Sequence, residues 1–181
     1  MRGSVLKKSS LFAAFLLICI MTASAVAALA AAAEAAVAQT PASSLSIQRL
    51  VFVEEIMGLA QYKPHPGGSS FTQDEKCTVY VEVGGFSMPL VEDSQDEYGF
   101  SLAVDAAIKA PDGEVLAFQS GIDEQEGVAY SQLPLHYLAF SFNLEGWTKG
   151  DYVLEVGVRD NLSDRIVSGD LPLSVGAAAA P

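Results

Sequence analysis

The sequence predicts an all-β fold, an antiparallel two-sheet β-sandwich of about seven strands. Apolar and polar residues alternate with a period of two in several short segments, turn-forming residues separate these segments, and no segment has a helical period. A period of two places alternate side chains on a buried and a solvated face, which is typical of antiparallel sheets. Short strands that turns separate at regular spacing favour a two-sheet sandwich.

The first 38 residues predict a secretory signal peptide. Arg2, Lys7 and Lys8 form a basic start, residues 11–33 carry no charge, and residues 36–38 have the small-x-small pattern of a cleavage site. The uncharged segment is also long enough to span a bilayer, so an uncleaved N-terminal membrane anchor is the alternative. We expect an exported protein, periplasmic or extracellular, with no membrane span after signal cleavage.

Charge excludes some classes of partner. The chain has 10 basic and 22 acidic residues, and loss of Arg2, Lys7, Lys8 and Glu34 with the signal leaves 7 and 21, a net charge of −14. Such an acidic chain repels phosphate backbones and anionic lipid, so we expect no nucleic-acid and no membrane-surface partner. A solvated, soluble surface explains most of this charge.

The mature chain has the length of one domain. We expect a β-sandwich domain at residues 45–175, flanked by disordered segments at residues 39–44 and 176–181. Cys77 is the single cysteine that remains after the signal, so no internal disulfide can form and packing must stabilise the fold. We interpret Cys77 as a small buried hydrophobic residue at the start of a strand.

The first half of the domain contains three predicted strands. Residues 45–53 are rich in β-branched and aromatic residues and favour a strand, with a helix over residues 45–59 as the alternative. Residues 63–70 contain two prolines and two glycines and predict a loop. Residues 79–83 and 100–108 alternate strictly and predict two more strands.

The second half begins with a predicted hairpin. Residues 110–114 contain Pro-Asp-Gly, in which proline presets its φ and glycine accepts a positive φ. Connections are predicted at residues 145–150 and 159–165. Pro172 lacks an amide donor and predicts a sheet edge or a bulge. The predicted strands of this half are residues 115–119, 138–144, 152–158 and a last strand that ends at residue 175.

One segment resembles a known family of domains. Residues 150–160, Gly-Asp-Tyr-Val-Leu-Glu-Val-Gly-Val-Arg-Asp, resemble the Gly-x-Tyr-x-Leu-x-Val-x-Val-x-Asp strand of bacterial Ig-like sandwich domains. Residues 71–86 are similar to a strand of uncharacterised exported bacterial proteins, in which a Pro-Asp-Gly hairpin also follows. The resemblance covers residues 45–175 and implies an Ig-like or fibronectin type III-like fold, with Tyr152 as a corner tyrosine. It implies no activity, and Trp147 does not match the core tryptophan of antibody domains.

The sequence contains no recognisable catalytic set. His65 lies between two prolines in a predicted loop, His136 begins a predicted strand, and no Gly-x-Ser-x-Gly motif occurs. Cys77 and two distant histidines do not have the spacing of a structural zinc site. No phosphate-binding glycine loop or dinucleotide motif is present. We therefore predict no catalytic residue, no cofactor and no enzymatic activity.

Acidic clusters are the candidate metal sites. The candidate ligands lie between two predicted strands and are Glu92, Asp93, Asp96 and Glu97. Two further acidic groups occur at residues 123–126, in a predicted long connection, and at residues 160–164. Calcium prefers oxygen ligands, but no Asp-x-Asp-x-Asp-Gly loop is present, and a charge run is usually a solvated loop. A calcium-binding adhesion-type domain, or an enzyme that uses these acidic loops, is the alternative function.

The favoured interpretation is a noncatalytic sandwich module that binds a protein or a cell-envelope component. Contact residues of such modules tend to lie on loops and strand ends. The aromatic candidates in these positions are Tyr62, Tyr98, Tyr130 and Trp147. The same side chains could instead cap the core, so the sequence names neither the partner nor its surface.

Overall fold

The computed structural model describes residues 44–176. The predicted signal peptide at residues 1–38, all but the last residue of the predicted segment at residues 39–44, and residues 177–181 of the predicted tail lie outside the described residues. The described part contains β-strands, turns and bends, and no helix in it is long and apolar enough to cross a membrane.

The described residues form nine strands in two sheets. The four-stranded sheet has the order β2-β1-β4-β7 and the five-stranded sheet the order β3-β9-β8-β5-β6. Neighbouring strands are antiparallel except β3, which is parallel to β9. The predicted all-β two-sheet sandwich is confirmed. The strands are β1 (Ser46–Gly58), β2 (Gln61–Pro64), β3 (Ser70–Thr72), β4 (Lys76–Gly84), β5 (Tyr98–Lys109), β6 (Val115–Ala129), β7 (Leu135–Asn143), β8 (Gly150–Asp160) and β9 (Arg165–Gly176).

Two short strands account for the difference from the predicted seven. β2 and β3 lie at the two ends of the segment predicted as a loop at residues 63–70, so that prediction is wrong at its ends. β2 turns back onto β1, and β3 pairs with the last three residues of β9. Strands of three or four residues have no measurable alternation, and pairing stabilises them, β2 with the preceding strand β1 and β3 with the distant strand β9.

The predicted strand at residues 115–119 is the start of a longer one. β6 continues to Ala129, so residues 123–126 lie within a strand and the prediction of a long connection there is wrong. The strand bulges at Gly121, which has a φ of 62°, and its register with β5 resumes at Asp123. Asp105 of β5 holds this bulge, because its Oδ1 accepts hydrogen bonds from Ser120 Oγ at 2.6 Å and Gly121 N at 2.8 Å.

The core lies between the two sheets. Alternate residues of the predicted strands face inward and are fully or nearly fully buried, as the period of two predicts; they include Val79, Val81, Val83, Leu102, Val104, Leu138, Leu154, Val156 and Val158. Cys77 is completely buried among them. Burial raises the pKa of its thiol to about 12, so the thiol stays protonated at neutral pH. The interpretation of Cys77 as a buried hydrophobic residue is confirmed.

Two finer predictions about single residues are also confirmed. The Tyr152 hydroxyl donates a hydrogen bond of 2.9 Å to the backbone oxygen of Thr148, four residues upstream, which is the arrangement of a corner tyrosine. Pro172 pairs with Val153 of β8 on one side. On its other side the pairing with β3 begins only at Ser174, so no described strand pairs with Pro172 there, and it lies at a sheet edge.

Candidate functional site

The two sheets meet along one side through their edge strands. β6 is the edge of the five-stranded sheet, β7 is the edge of the four-stranded sheet, and the two strands are in contact. The β6 residues that pair directly with the buried residues of β5 share their inward face. These inward residues of β6 are Ala117, Gln119, Asp123 and Gln125, which lie opposite Ile108, Ala106, Val104 and Leu102.

One half of this side is closed by hydrogen bonds. Asp123 Oδ2 accepts the backbone N–H of Ala139 in β7 at 3.0 Å and the amide of Gln125, also at 3.0 Å. His136 Nε2 donates to Gln125 Oε1 at 2.8 Å, and the His136 ring lies 4.7 Å from that of Phe100. Burial lowers the pKa of His136, although the Asp123 carboxylate opposes this shift. Asp123 and Gln125, which were predicted to lie in a connection, thus link the edges of the two sheets by hydrogen bonds to β7.

The other half of the same side is open. Ala117 is too short to reach β7, and Gln119 makes no hydrogen bond to it. A cavity of about 190 Å³ lies here between the sheets, and we call it the lateral groove. Its wall contains no titratable side chain, and only Gln119 and Asn143 are polar. The apolar residues of the wall include Ile108, Phe118, Ile122, Phe140, Phe142 and Trp147.

The rim of the lateral groove is an unprotected strand edge. Residues 115–120 of β6 are all exposed, and residues 115–122 carry no charge. Val115, Leu116 and Phe118 keep 53%, 44% and 65% of their surface exposed. Leu116 and Phe118 alternate with the inward Ala117 and Gln119, so their side chains lie on the outer face of β6, beside the groove. Proteins usually protect an exposed edge with lysine, proline or inward-pointing charge, because an open edge pairs readily with another strand. Only the second half of β6, with Asp123, is protected in this way.

The candidate metal ligands do not assemble. Glu92, Asp93, Asp96 and Glu97 lie in the loop between β4 and β5, where Ser94 Oγ accepts the backbone N–H groups of Asp96 and Glu97. Within residues 44–176 no group of three or more His, Cys, Asp or Glu side chains is arranged to hold a metal ion. The calcium ligands stay a prediction that this geometry does not favour.

The acidic residue that flanks the last turn has a structural role instead. Asp160 is fully buried and accepts hydrogen bonds from Ser87 N, Ser163 Oγ, Leu162 N and Arg165 Nη2, at 2.7 to 3.1 Å. Burial raises the pKa of Asp160, but the hydrogen bonds lower it more, so it lies below its ordinary value. Its carboxylate joins the β8–β9 turn to the segment after β4.

The aromatic candidates lie in three places. Trp147 forms part of the lateral groove and contacts Tyr152, with the ring centroids 5.4 Å apart. Tyr62 lies in β2, accepts a hydrogen bond from Arg49 Nη1 at 2.6 Å and contacts the Tyr80 ring. Tyr98 and Tyr130 lie at the opposite end of the β5–β6 pair from the groove. The four aromatic side chains do not form one surface, and the role of each as a partner contact stays a prediction.

Sequence reasoning missed most of the lateral groove. Of its residues it singled out Trp147 alone as a contact candidate. A signal was present in residues 115–118, Val-Leu-Ala-Phe, which are apolar without alternation directly after a tight turn. Such a run on an edge strand indicates a surface that is not simply solvated.

Comparisons with known proteins find structural similarity at low sequence identity. No protein-family model and no curated protein matches the chain. It is similar to the CARDB domain of a Pyrococcus furiosus protein, solved in complex with di-metal ions, with 14% identity, a TM-score of 0.33, and coverage of 74% of this chain and 92% of that domain. It is also similar to a Bacteroides uniformis β-glucuronidase, with 12% identity, a TM-score of 0.33 and coverage of 72% of this chain, but it spans only 12% of that enzyme. At these identities neither activity nor metal binding carries over.

Proposed function

We propose that this protein is a noncatalytic, exported β-sandwich module that binds a protein partner through the lateral groove and the adjoining edge of β6. The observation that carries the proposal is an apolar groove that opens beside an unprotected strand edge, with Val115, Leu116 and Phe118 exposed. Exposed apolar surface next to unpaired backbone groups is typical of protein–protein contacts.

The absence of catalysis is supported by where the perturbed titratable groups lie. Active sites usually combine a group of shifted pKa with a pocket. Here Asp105 and Asp160 have lowered pKa values, because hydrogen bonds within the fold outweigh the effect of burial. Burial in the core raises the pKa of Cys77. None of these groups lies in the wall of the lateral groove.

The exported setting rests on the N-terminal sequence. Residues 1–38 have the pattern of a secretory signal, and the acidic composition of the remainder disfavours nucleic-acid and anionic-membrane partners. A partner protein or a protein component of the cell envelope fits this setting. An uncleaved N-terminal anchor would keep the same module at a membrane surface.

Site-specific photo-cross-linking in the cells that produce the protein tests this function. We would place p-benzoylphenylalanine at position 118, on the groove rim, and at position 166 as the matched control, because Phe118 and Ile166 are 65% and 67% exposed on different strands. We expect a discrete protein adduct from position 118 and none from position 166. Equal adducts from both positions, or none from position 118, would contradict the proposal.

A further inference from the structure

We propose that the lateral groove accepts an extended segment of the partner protein as an added strand along β6, and that this segment has alternate apolar side chains and basic flanks. The inference rests on the proposed function and specifies its partner. It depends on the open backbone edges, the size of the groove and the distribution of charge.

The backbone of β6 is open on the groove side. β6 pairs with β5 along one edge only, and no other described strand pairs with it. Along residues 115–120 the N–H and C=O groups that point away from β5 therefore face the groove rim and solvent. An extended peptide can satisfy such groups by strand addition, in which main-chain hydrogen bonds provide the affinity.

The backbone of β7 offers donors on the other side of the groove. The N–H of Ala139 points toward β6, because Asp123 accepts it there. Since a strand repeats every two residues, the N–H groups of Ser141 and Asn143 point the same way. Asn143 lies in the groove wall itself. The groove therefore runs between two strand edges that both present unpaired main-chain groups.

The size of the groove favours side chains over a separate small molecule. Its volume of about 190 Å³ lies below the roughly 300–1,000 Å³ of typical ligand pockets. Its floor contains Ile108, Phe140 and Leu154. One or two small apolar side chains of an added strand, such as those of valine, would fill this space and leave the intervening polar side chains in solvent.

Charge selects a basic partner over a second copy of this chain. After the predicted signal the chain has 21 acidic and 7 basic residues. Four of the basic side chains form ion pairs with carboxylates, namely Lys63, Lys109, Arg159 and Arg165. The two turns that bound the groove, at residues 110–114 and 144–149, contain three carboxylates and one lysine. A field of this sign attracts basic flanks and repels an identical acidic molecule.

The single tryptophan of the chain reports directly on occupancy. Trp147 lies in the groove wall, so its fluorescence changes when a peptide enters. The probe is the capped peptide Lys-Val-Thr-Val-Thr-Val-Lys. The control peptides have glutamate in place of both lysines, or proline in place of the central valine, which removes a main-chain donor. We expect a saturable response to the first peptide and at least a tenfold weaker response to each control.

Two protein variants separate groove insertion from simple charge attraction. Ala117→Glu places a carboxylate at the groove, and we expect at least tenfold weaker binding although the added charge attracts the basic flanks. Leu162→Glu adds the same charge in the β8–β9 turn, where Leu162 is 48% exposed, and we expect unchanged or slightly tighter binding. Thermal melts of both variants show whether they are folded. If Ala117→Glu does not fold, Gln119→Glu at the exposed neighbouring position of the groove replaces it.

Three results would overturn the inference. These are no response of Trp147 to the lysine peptide, equal binding of the glutamate-flanked peptide, or full binding by folded Ala117→Glu and Gln119→Glu proteins. Sedimentation of the protein alone tests whether a second copy of this chain occupies the groove. A dimer that Ala117→Glu abolishes would assign the edge of β6 to that second copy. If adducts form at position 118 while the peptide fails to bind, the proposed function stands and strand addition is wrong. If both fail, the proposed function is wrong as well.

Discussion

Replacement of Asp160 by alanine should be among the most damaging single changes in the domain. Its carboxylate is fully buried and accepts four hydrogen bonds. One of these is also an ion pair, in which Arg165 Nη2 lies 3.0 Å from Asp160 Oδ2. These bonds join the β8–β9 turn to Ser87, which follows β4 in the opposite sheet. Asp160→Ala removes the carboxylate that accepts these hydrogen bonds, so each donor loses that acceptor.

The size of the loss follows from what remains after the substitution. Loss of the Asp160 carboxylate should cost about 3 kcal/mol, the upper end of the range for hydrogen bonds to charged groups, because several donors lose their acceptor at once. The cost is not larger, because Arg165 is 33% exposed and keeps Ser87 Oγ and Ser163 Oγ as acceptors. Asp160→Asn keeps the shape and part of the acceptor capacity, so its cost should be roughly 1–3 kcal/mol, the range for hydrogen bonds to charged groups. We therefore expect the order wild type, Asp160→Asn, Asp160→Ala in the free energy of unfolding.

Urea unfolding followed by circular dichroism measures these differences. Asp164→Asn is the matched control, because Asp164 is exposed in the same turn with a φ of 55°, which asparagine tolerates. We expect the control to change the free energy of unfolding by less than about 0.5 kcal/mol. A loss below about 1 kcal/mol for Asp160→Ala would refute the reasoning.

The pH dependence provides an independent check on Asp160. Its pKa in the folded protein is lowered relative to the unfolded chain, so its stabilising effect is fully present above the unfolded value of about 3.9 and is lost as the pH falls through the folded value. The difference in stability between wild type and Asp160→Asn should be constant from pH 7 to 5 and shrink below pH 4. A difference that does not change with pH would contradict the role of the charge.

Three further predictions concern other parts of the domain. Tyr152→Phe should lower the free energy of unfolding by about 1 kcal/mol in urea unfolding, because the hydroxyl loses its bond to Thr148, and no loss would contradict a role for this bond. His136 has a pKa lowered by burial, so it destabilises the fold as the pH falls below about 6.5; melts at pH 7.5 and 5.5 should show a smaller drop in Tm for His136→Gln than for wild type, and an equal drop would refute this. Calcium and chelator should leave the Tm unchanged, since no metal-binding group is assembled within residues 44–176, and a rise that chelator reverses would support the calcium alternative.

The strands with strict alternation were predictable from the sequence because their periodicity and their burial have the same cause. β4, β5 and β8 each direct every second residue into the space between the two sheets, and the order of apolar and polar residues predicts this. The predicted solvated face is partly exposed in β8, but β4 and β5 bury both faces over most of their length, so that part of the prediction is wrong for them. The second half of β6 was not predictable in this way. Its inward residues Asp123 and Gln125 are polar because their partners, Ala139 and His136, lie on a different strand.

The candidate site was also predictable only in part. Trp147 could be selected from the sequence as an aromatic residue in a turn, but its place in the wall of the lateral groove depends on how β7, β8 and β6 are arranged. The groove exists because the bulge at Gly121 ends the hydrogen-bonded contact between β6 and β7, and neither Ala117 nor Gln119 continues it. No local pattern encodes a gap between two edges that come from different sheets.

The sequence by itself determined the all-β class, the strongly alternating strands, the burial of Cys77 and the acidic character of the chain, because each depends on side-chain chemistry and short-range order. Only the tertiary structure decided which strands lie at the edges, that β2 and β3 exist, that Asp160 is a buried acceptor, and that the two sheets stay open beside Phe118. These features depend on contacts between residues far apart in the chain, whose energies no local period can report.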